Sequence, residues 1–278
     1  MTTLTPIAPA APAVVASPAQ SDTPRQPSLA IDDDWFKPCA VVPVYNHELS
    51  LPAVIGALLA EDLHCVIVDD ASSPAAAQVI DDLAQHPSVH LLRHDHNQGK
   101  GAAVASGLRE AFRLGFSHAL QVDADGQHDL EGVALFLDRA SQAPDALICG
   151  YPEYDSSVPK GRFYARYLTH VWVWINTLSL SIRDSMCGFR VYPLQPTLAL
   201  LDSTSLGKRM DFDTEILVRL HWRDQPMVWL PTRVHYPADG VSHFRLWRDN
   251  LLISSMHARL FGGMLLRAPA LLWRRWGR

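Results

Sequence analysis

Two aspartates separated by one residue follow an apolar run in the middle of the chain and are the first candidates for chemistry. They open the string Asp-Ala-Asp-Gly-Gln-His at 123–128. Asp123, Asp125 and the amide of Gln127 offer oxygens on alternate residues, and oxygens are the ligands that hard divalent cations prefer. Gly126 permits a bend that would turn both carboxylates into one site. Because a short acidic pattern is also typical of a solvated turn, the surrounding elements must distinguish the two interpretations.

Apolar runs that alternate with helical patterns surround this string. Strands are predicted at 39–45, 64–68, 89–92, 118–122 and 146–149. Helices are predicted from Ser50, as N-cap, and at 74–84, 102–114 and 129–141. Continuous apolar strands separated by helices are typical of a mostly parallel sheet with helices on both faces. The predicted fold class is therefore α/β.

Polar residues follow the first four predicted strands at the point where each strand ends. These clusters are Asn46 to Glu48, Asp69 with Asp70, residues 97–101, and Asp123 with Asp125. Ligands of open parallel sheets bind beyond the carboxyl ends of the strands. The four clusters therefore favour a ligand site over a solvated acidic turn.

The second half of the chain has a different pattern. One long helix is predicted at 162–182, and its apolar surface, almost all round, requires burial or lipid contact. A loop from Arg183 leads into a strand ending at Tyr192, a helix follows at 212–222, and two extended runs cover 227–230 and 233–236. C-terminal helices are predicted to be broken at Gly262-Gly263 and Pro269.

Composition limits the class of protein. A formal net charge of −5 over 278 residues does not suggest a nucleic-acid partner. Four cysteines without a CxxC pattern are expected to be reduced thiols in a cytoplasmic protein, and no apolar run is long enough to span a membrane. We expect a disordered Ala/Pro-rich tail at 1–34 without a secretory signal, a catalytic domain at 35–245, and a basic amphipathic tail at 246–278.

Five strings together resemble the family-2 glycosyltransferases, which have the GT-A fold, over roughly residues 38–245. They are Pro-Val-Tyr-Asn at 43–46, Val-Asp-Asp-Ala-Ser at 68–72, Asn-Gln-Gly-Lys-Gly-Ala-Ala at 97–103, the acidic string at 123–128, and Asp184 with Cys-Gly-Phe-Arg at 187–190. Within the family the chain is most similar to the polyprenyl-phosphate sugar synthases. The resemblance implies an inverting transfer from a UDP- or GDP-linked sugar, with Mg²⁺ or Mn²⁺, to a lipid-linked acceptor.

The resemblance also implies roles for individual residues on the donor side. Asp123, Asp125 and Gln127 correspond to the metal and ribose-phosphate group, with Asp125 as the first choice for a direct ligand. His128 would be either a supporting residue or a helix cap. Asp69 and Lys100 would address the base and ribose, and Asp70 would either join them or only cap the next turn. Gly99 and Gly101 would let the chain approach the nucleotide. The base pocket would be framed by Pro43, Tyr45 and Glu48.

On the acceptor side, Asp184 is the first candidate for a carboxylate that either takes the acceptor proton or positions a phosphate acceptor. Asp213 and Glu215 are the competing candidates, with a structural salt bridge as the other interpretation of Glu215. Arg190, His243 and Arg245 resemble cationic groups that close over a diphosphate or a lipid phosphate.

The basic tail is the second clue to the acceptor. From His243 to Arg278 the chain has seven arginines and one aspartate among Leu, Met, Phe and Trp residues. This pattern indicates either a helix at a membrane surface, on the inner face of the cytoplasmic membrane, or a self-packing helix. The alternatives to a lipid-phosphate acceptor are a hydroxylated acyl or aromatic lipid, a glycan, and a nucleotide-sugar-binding module without transfer activity.

Overall fold

The structure is a computed structural model that describes residues 35–153, 160–233 and 246–276. The predicted tail at 1–34, as well as His243 and Arg245, lies outside these residues. Among the described residues, one sheet has strands β1 (Pro38–Val44), β2 (His64–Asp69), β3 (Val89–Arg93), β4 (His118–Gln121), β5 (Leu147–Glu153), β6 (Arg190–Pro193) and β7 (Met227–Arg233). Their order is β3-β2-β1-β4-β6-β5-β7.

The sheet is mostly parallel, as the continuous apolar runs predict. Strands β1, β2, β3 and β4 pair in parallel, as do β5 and β7. Only β6, within the described sheet, runs antiparallel to both of its neighbours, β4 and β5. The five strands predicted in the first half are all present, with ends that differ by a few residues.

The helices cover both faces of the sheet. They are α1 (Leu51–Ala60), α2 (Pro74–Leu83), α3 (Lys100–Arg113), α4 (Val133–Gln142), α5 (Lys160–Thr177), α6 (Leu194–Ser203), α7 (Phe212–Trp222) and α8 (Leu246–Trp276). Neighbouring residues of β1 show the two faces directly. Val41 belongs to the core cluster that includes α3, α7 and α8, whereas Val42 belongs to the cluster that includes α1 and α4. The predicted α/β class is therefore confirmed.

Local predictions fail where a tertiary contact overrides a sequence signal. The helix predicted at 162–182 ends at Thr177, and Leu178 adopts a positive φ of 50°. Ser50 occupies the predicted N-cap position of α1, but its side chain makes no capping bond, because its hydroxyl donates to the carbonyl of Ala124 at 2.6 Å. Helix α6, which was not predicted, follows β6 directly.

The C-terminal helix is continuous, so its predicted breaks are wrong. Pro269 lies inside the 31-residue α8. Gly263 supports packing instead of a break, since a Cβ there would lie 2.8 Å from the Trp222 ring. The buried side chains of Met264 and Leu271 hold the helix to the core on both sides of Pro269. None of the described helices combines the length and hydropathy needed to cross a membrane.

Candidate active site

The polar clusters at the ends of β2 and β4 lie at the same edge of the sheet. Val122 extends the ladder beyond β4 by donating to Val41 at 3.1 Å, and Asp70 does the same beyond β2 by donating to Val44 at 2.9 Å. Asp123 follows directly, and Gly126 has the positive φ, 71°, that the predicted bend requires. Asp70 and Asp123 therefore lie at the same edge of the sheet, on either side of β1.

Lys100, the first residue of α3, bridges two carboxylates at this edge. Its Nζ lies 2.8 Å from Oδ2 of Asp123 and 3.0 Å from Oδ2 of Asp213. Burial acts against the charged form of Lys100, but the two carboxylates outweigh it and raise the pKa of Lys100. Burial likewise opposes the charge on Asp123, but Lys100 and His128 hold its pKa well below the ordinary value. Lys100 and Asp123 therefore form an ion pair at neutral pH.

Asp123 keeps one oxygen available for a ligand. Its Oδ1 is buried and, within the described part of the chain, has no hydrogen-bond partner. Asp125 uses Oδ1 to accept the backbone N–H of Gln127 at 3.0 Å, which closes a tight turn. No group of three or more His, Cys, Asp or Glu residues is arranged around a metal position in the described ranges. Mg²⁺, however, is commonly held by one or two carboxylates together with substrate phosphates and water, so the Asp123 and Asp125 oxygens fit it.

His128 supports Asp123 and is not a helix cap. Its Nε2 lies 3.6 Å from Oδ2 of Asp123, and its ring packs on Phe189 with 5.3 Å between centroids. The following short 3₁₀ turn is capped by Asp129, whose side chain accepts from the N–H of Glu131 at 3.1 Å. The alternative role of His128 as a cap is therefore wrong.

Asp70 shapes the loop that carries Lys100. Its carboxylate accepts the backbone N–H groups of Gln98 and Gly99, each at 2.8 Å. His94 contacts the same carboxylate through Nδ1 at 2.8 Å and reaches the hydroxyl of Ser106 through Nε2 at 3.0 Å. With 2% of its surface exposed, Asp70 is occupied by this loop, so its predicted contact with a nucleotide would require these bonds to change.

Asp69 is also engaged within the protein. It accepts the N–H of Ser72 at 2.9 Å and forms an ion pair with Nε of Arg93 at 2.7 Å. Its side chain is almost completely buried. As with Asp70, the contacts of Asp69 are those of a residue that fixes the end of β2.

Gly99 and Gly101 are required by the protein's own packing. A Cβ on Gly99, whose φ is 103°, would lie 2.5 Å from the carbonyl oxygen of Lys208. One on Gly101 would lie 2.3 Å from Cβ of Phe212. Close approach of residues 207–212 therefore accounts for both glycines, and their approach to a nucleotide stays a prediction.

The segment after β1 lies beside the end of β2 and offers a further oxygen without a hydrogen-bond partner among the described residues. Pro43 is buried in β1, and Tyr45 and Glu48 are half-buried beyond its end. The buried Oε2 of Glu48 has no hydrogen-bond partner among the described residues. Asn46, with φ of 58°, accepts the N–H of Ser73 at 2.7 Å and joins the ends of β1 and β2. Glu48 is thus placed as a candidate ligand-binding carboxylate.

The Asp184 loop touches the Asp123 cluster. A Cβ on Gly188 would lie 3.1 Å from Oδ2 of Asp123, which is closer than an ordinary van der Waals contact. Asp184 itself forms a bidentate pair with Arg166, with distances of 2.8 and 2.7 Å, and accepts the N–H groups of Met186 and Cys187 at 2.9 and 2.7 Å. Both oxygens of Asp184 are therefore engaged, which suits a positioning residue better than a free base.

Two predicted site residues are internal supports. Glu215 is fully buried and accepts from the N–H of Gly207 at 2.8 Å and from Arg219 and Arg259 at 2.8 and 3.0 Å. This full set of partners favours the structural salt bridge over a catalytic role. Arg190 is fully buried and donates to the carbonyls of Asp213 and Ser185 at 2.7 and 2.9 Å. Its guanidinium therefore binds the chain itself and does not lie over a phosphate position.

Asp213, only a competing candidate by sequence, lies in the Asp123 cluster because it pairs with Lys100. Its carboxylate joins Lys100 to the buried side chain of Gln121, whose Nε2 donates to Oδ1 of Asp213 at 3.2 Å. Gln121 accepts in turn from the hydroxyl of Tyr192 at 3.2 Å. A glutamine at the end of an otherwise apolar strand was the available signal, because a buried amide needs a polar partner.

The family follows from comparison with known sequences. Residues 39–207 match the sequence model of the family described as glycosyl transferase family 2. The chain belongs to this family. This glycosyltransferase is 27% identical over 169 residues to the polyprenol monophosphomannose synthase of Mycolicibacterium smegmatis, and the match covers 55% of this chain and 60% of that enzyme. It is 26% identical to the undecaprenyl-phosphate mannosyltransferase of Micrococcus luteus, and the match covers 62% of this chain and 74% of that enzyme.

A solved structure has the same fold. Glucosyl-3-phosphoglycerate synthase from Mycobacterium tuberculosis, in complex with Mn²⁺ and uridine-diphosphate-glucose, superposes with a TM-score of 0.61 over 84% of this chain and 79% of that chain. At 12% sequence identity this likeness shows the fold alone. It confirms the predicted GT-A fold of the glycosyltransferase.

Proposed function

We propose that the protein transfers a sugar, with inversion at the anomeric carbon, from a UDP- or GDP-linked donor to a lipid phosphate such as polyprenyl phosphate. The observation that carries the proposal is the contact between Gly188 and Asp123. It brings a carboxylate with an open oxygen next to the loop that holds Asp184. The names of both mannosyl-transferring relatives support a lipid-phosphate acceptor.

The donor side of the reaction is assigned to the Asp123 cluster. Asp123 and Asp125, with Gln127 beside them, would hold a divalent ion, which neutralises charge on the departing diphosphate. Lys100 keeps Asp123 ionised, and His128 orients it. Tyr45 and Glu48 border this edge at the end of β1, where we place the nucleoside.

The bonding of Asp184 supports a phosphate acceptor over a hydroxyl acceptor. A hydroxyl must lose a proton as it attacks and therefore needs a base with an open oxygen. A lipid phosphate is already an anion and needs only to be positioned. Asp184, with its bidentate Arg166 partner, fits the second task, and Arg166 adds a cation near the acceptor phosphate. We place the reaction at the cytoplasmic face of the cytoplasmic membrane.

Transfer assays with purified protein test the proposal. A panel of UDP- and GDP-sugars is offered with a short-chain polyprenyl phosphate, a hydroxylated lipid and a glycan, in Mn²⁺ or in EDTA. We expect metal-dependent transfer to the phosphate, reduced about 10²-fold or more by Asp123→Asn. Asp95→Asn, an exposed carboxylate in the loop before Lys100, is the matched control and should leave the rate unchanged.

The other outcomes each reject a defined part of the proposal. Transfer only to the hydroxylated lipid or the glycan would replace the acceptor class. Metal-dependent donor binding without transfer to any acceptor would indicate a nucleotide-sugar-binding module. Equal activity in EDTA and Mn²⁺ would remove the metal from the reaction.

A further inference from the structure

Helix α8 has two apolar stripes on different sides, of which only one is covered. The inward stripe consists of Met256, Leu260, Met264 and Leu271, all buried in the core cluster that also contains α7 residues. Their spacing of four, four and seven residues keeps them on one side of the helix. α8 is therefore fixed to the domain by this side and is not a detachable tail.

The second stripe faces away from the domain. Trp247, Leu251, Ala258, Leu265 and Leu272 are separated by four or seven residues, which places them on one side of the helix, and all are exposed. Exposure reaches 83% for Trp247 and 79% for Trp273 near the other end of α8. Water-exposed apolar residues in a continuous row of this length mark an interaction surface.

The exposed row continues onto α5. Leu168, Trp172 and Ile175 are exposed and share one side of α5 by their spacing of four and three residues. The ring of Trp172 lies 6.3 Å from the ring of Phe261 on α8. Together these residues form what we name the α5–α8 apolar face: Leu168, Trp172, Ile175, Trp247, Leu251, Ala258, Phe261, Leu265, Leu272 and Trp273.

The charges of α8 indicate what covers this face. The helix has five arginines and one acidic residue, Asp249, which is buried. By helical spacing, Arg248 lies along one edge of the exposed stripe, whereas Arg259 on the same edge is paired with Glu215. A second copy of the chain would bring like charges together. Anionic headgroups would be attracted to the arginines, and tryptophans are typical of the boundary between lipid and water.

We propose that the α5–α8 apolar face docks on an anionic lipid surface and lies in the plane of the interface. The proposal rests on the proposed function for its setting, since a lipid-phosphate acceptor has to be reached at a bilayer. It goes further by naming the surface and by fixing the orientation of the domain on the membrane.

A series of contacts links α8 to the active site. Arg259 binds Oε2 of Glu215 at 3.0 Å, and the N–H of Gly207 binds the same oxygen at 2.8 Å. The segment from Gly207 then packs on Gly99 and Gly101 at the start of α3, where Lys100 meets Asp123. The face is therefore connected through packed residues to the Lys100–Asp123 pair.

Vesicle co-sedimentation of the full-length protein tests the proposal, without donor or acceptor present. The probes are phosphatidylglycerol-rich vesicles and pure phosphatidylcholine vesicles. We expect binding mainly to the anionic vesicles, and a fall of about tenfold in partitioning for Leu265→Ser, since it removes one buried apolar side chain from the interface. Leu135→Ser on α4 is the matched control, because Leu135 is 53% exposed and Leu265 is 57% exposed.

A short-chain, water-soluble polyprenyl phosphate separates this proposal from the proposed function. Leu265→Ser should transfer sugar to that acceptor at the wild-type rate, because no membrane is involved. Absence of vesicle binding by the wild-type protein, or equal losses for Leu265→Ser and Leu135→Ser, would overturn the docking surface whatever the transfer assay gives. A dimer in analytical ultracentrifugation that Leu265→Ser dissociates would also overturn it, since a second copy would then cover the face. Vesicle binding without any transfer would instead reject the proposed function and leave the docking surface intact.

Discussion

Replacing Lys100 with methionine removes the cation that Asp123 and Asp213 share and keeps the length of its apolar stem. Breaking a buried ion pair by removing one partner costs about 3–5 kcal/mol in the free energy of unfolding. The side chains of Lys100 and Asp123 are 22% and 21% exposed, so water moderates the loss. We therefore expect Lys100→Met to lower the free energy of unfolding by about 2–3 kcal/mol at pH 7.

The pH dependence of this loss identifies its cause. The pKa of Asp123 is lowered in the folded protein, so its ionised form stabilises the fold above the unfolded pKa of about 4, and this stabilisation is lost as pH falls toward the folded pKa. The raised pKa of Lys100 gives stabilisation that is complete below about pH 10 and lost as pH rises further. The difference between wild type and Lys100→Met should thus be constant from about pH 5 to 10 and shrink on either side.

Urea unfolding at a series of pH values measures this difference. Lys208→Met is the matched control, because Lys208 is an exposed lysine in the neighbouring segment, and its free energy of unfolding should change by less than about 0.5 kcal/mol. A loss for Lys100→Met that is equally large at pH 3.5 and pH 7 would refute the reasoning. The loss would then come from packing and not from charge.

Three further predictions follow from single contacts. Asp184→Asn should reduce kcat/KM about 10- to 100-fold with an unchanged pH profile, whereas loss of a base would remove one limb of the profile. Gly101→Ala should lower the free energy of unfolding by about 1–3 kcal/mol in urea because its Cβ would overlap Phe212, while Gly56→Ala, with open space around it, should not destabilise. Burial raises the pKa of the Cys187 thiol to about 12, and Asp184 adds to this effect. The native protein should therefore resist alkylation by iodoacetamide at pH 8 and react once it is unfolded. Rapid labelling of the native protein would contradict this prediction.

The sequence predicts the edge of the sheet well, because its signals are local. The apolar runs around Val41 and Leu120 end at polar residues, and the structure brings those ends together. Gly126 has the positive φ that its place in the acidic string predicts. The family strings could be read for the same reason, since each lies within a few consecutive residues.

What the sequence does not predict are partners that are distant along the chain. Nothing near Lys100 indicates that Asp213 will be its second carboxylate, or that Gly101 must accommodate Phe212. Glu215 and Arg190 are candidate site residues by sequence, yet buried partners give them structural tasks. A proline in a helical pattern likewise predicts a break, which the buried stripe of α8 overrides at Pro269.

The reversed direction of β6 explains how two loops reach the same edge of the sheet. A parallel strand places the residues that follow it at the carboxyl edge, whereas an antiparallel strand places there the residues that precede it. Asp184 to Gly188 precede β6 and therefore reach the same edge as Asp123, which follows β4. Were β6 parallel, its four residues would separate the two loops by about 13 Å. The single antiparallel strand of the described sheet thus brings together two loops that are more than fifty residues apart in the chain.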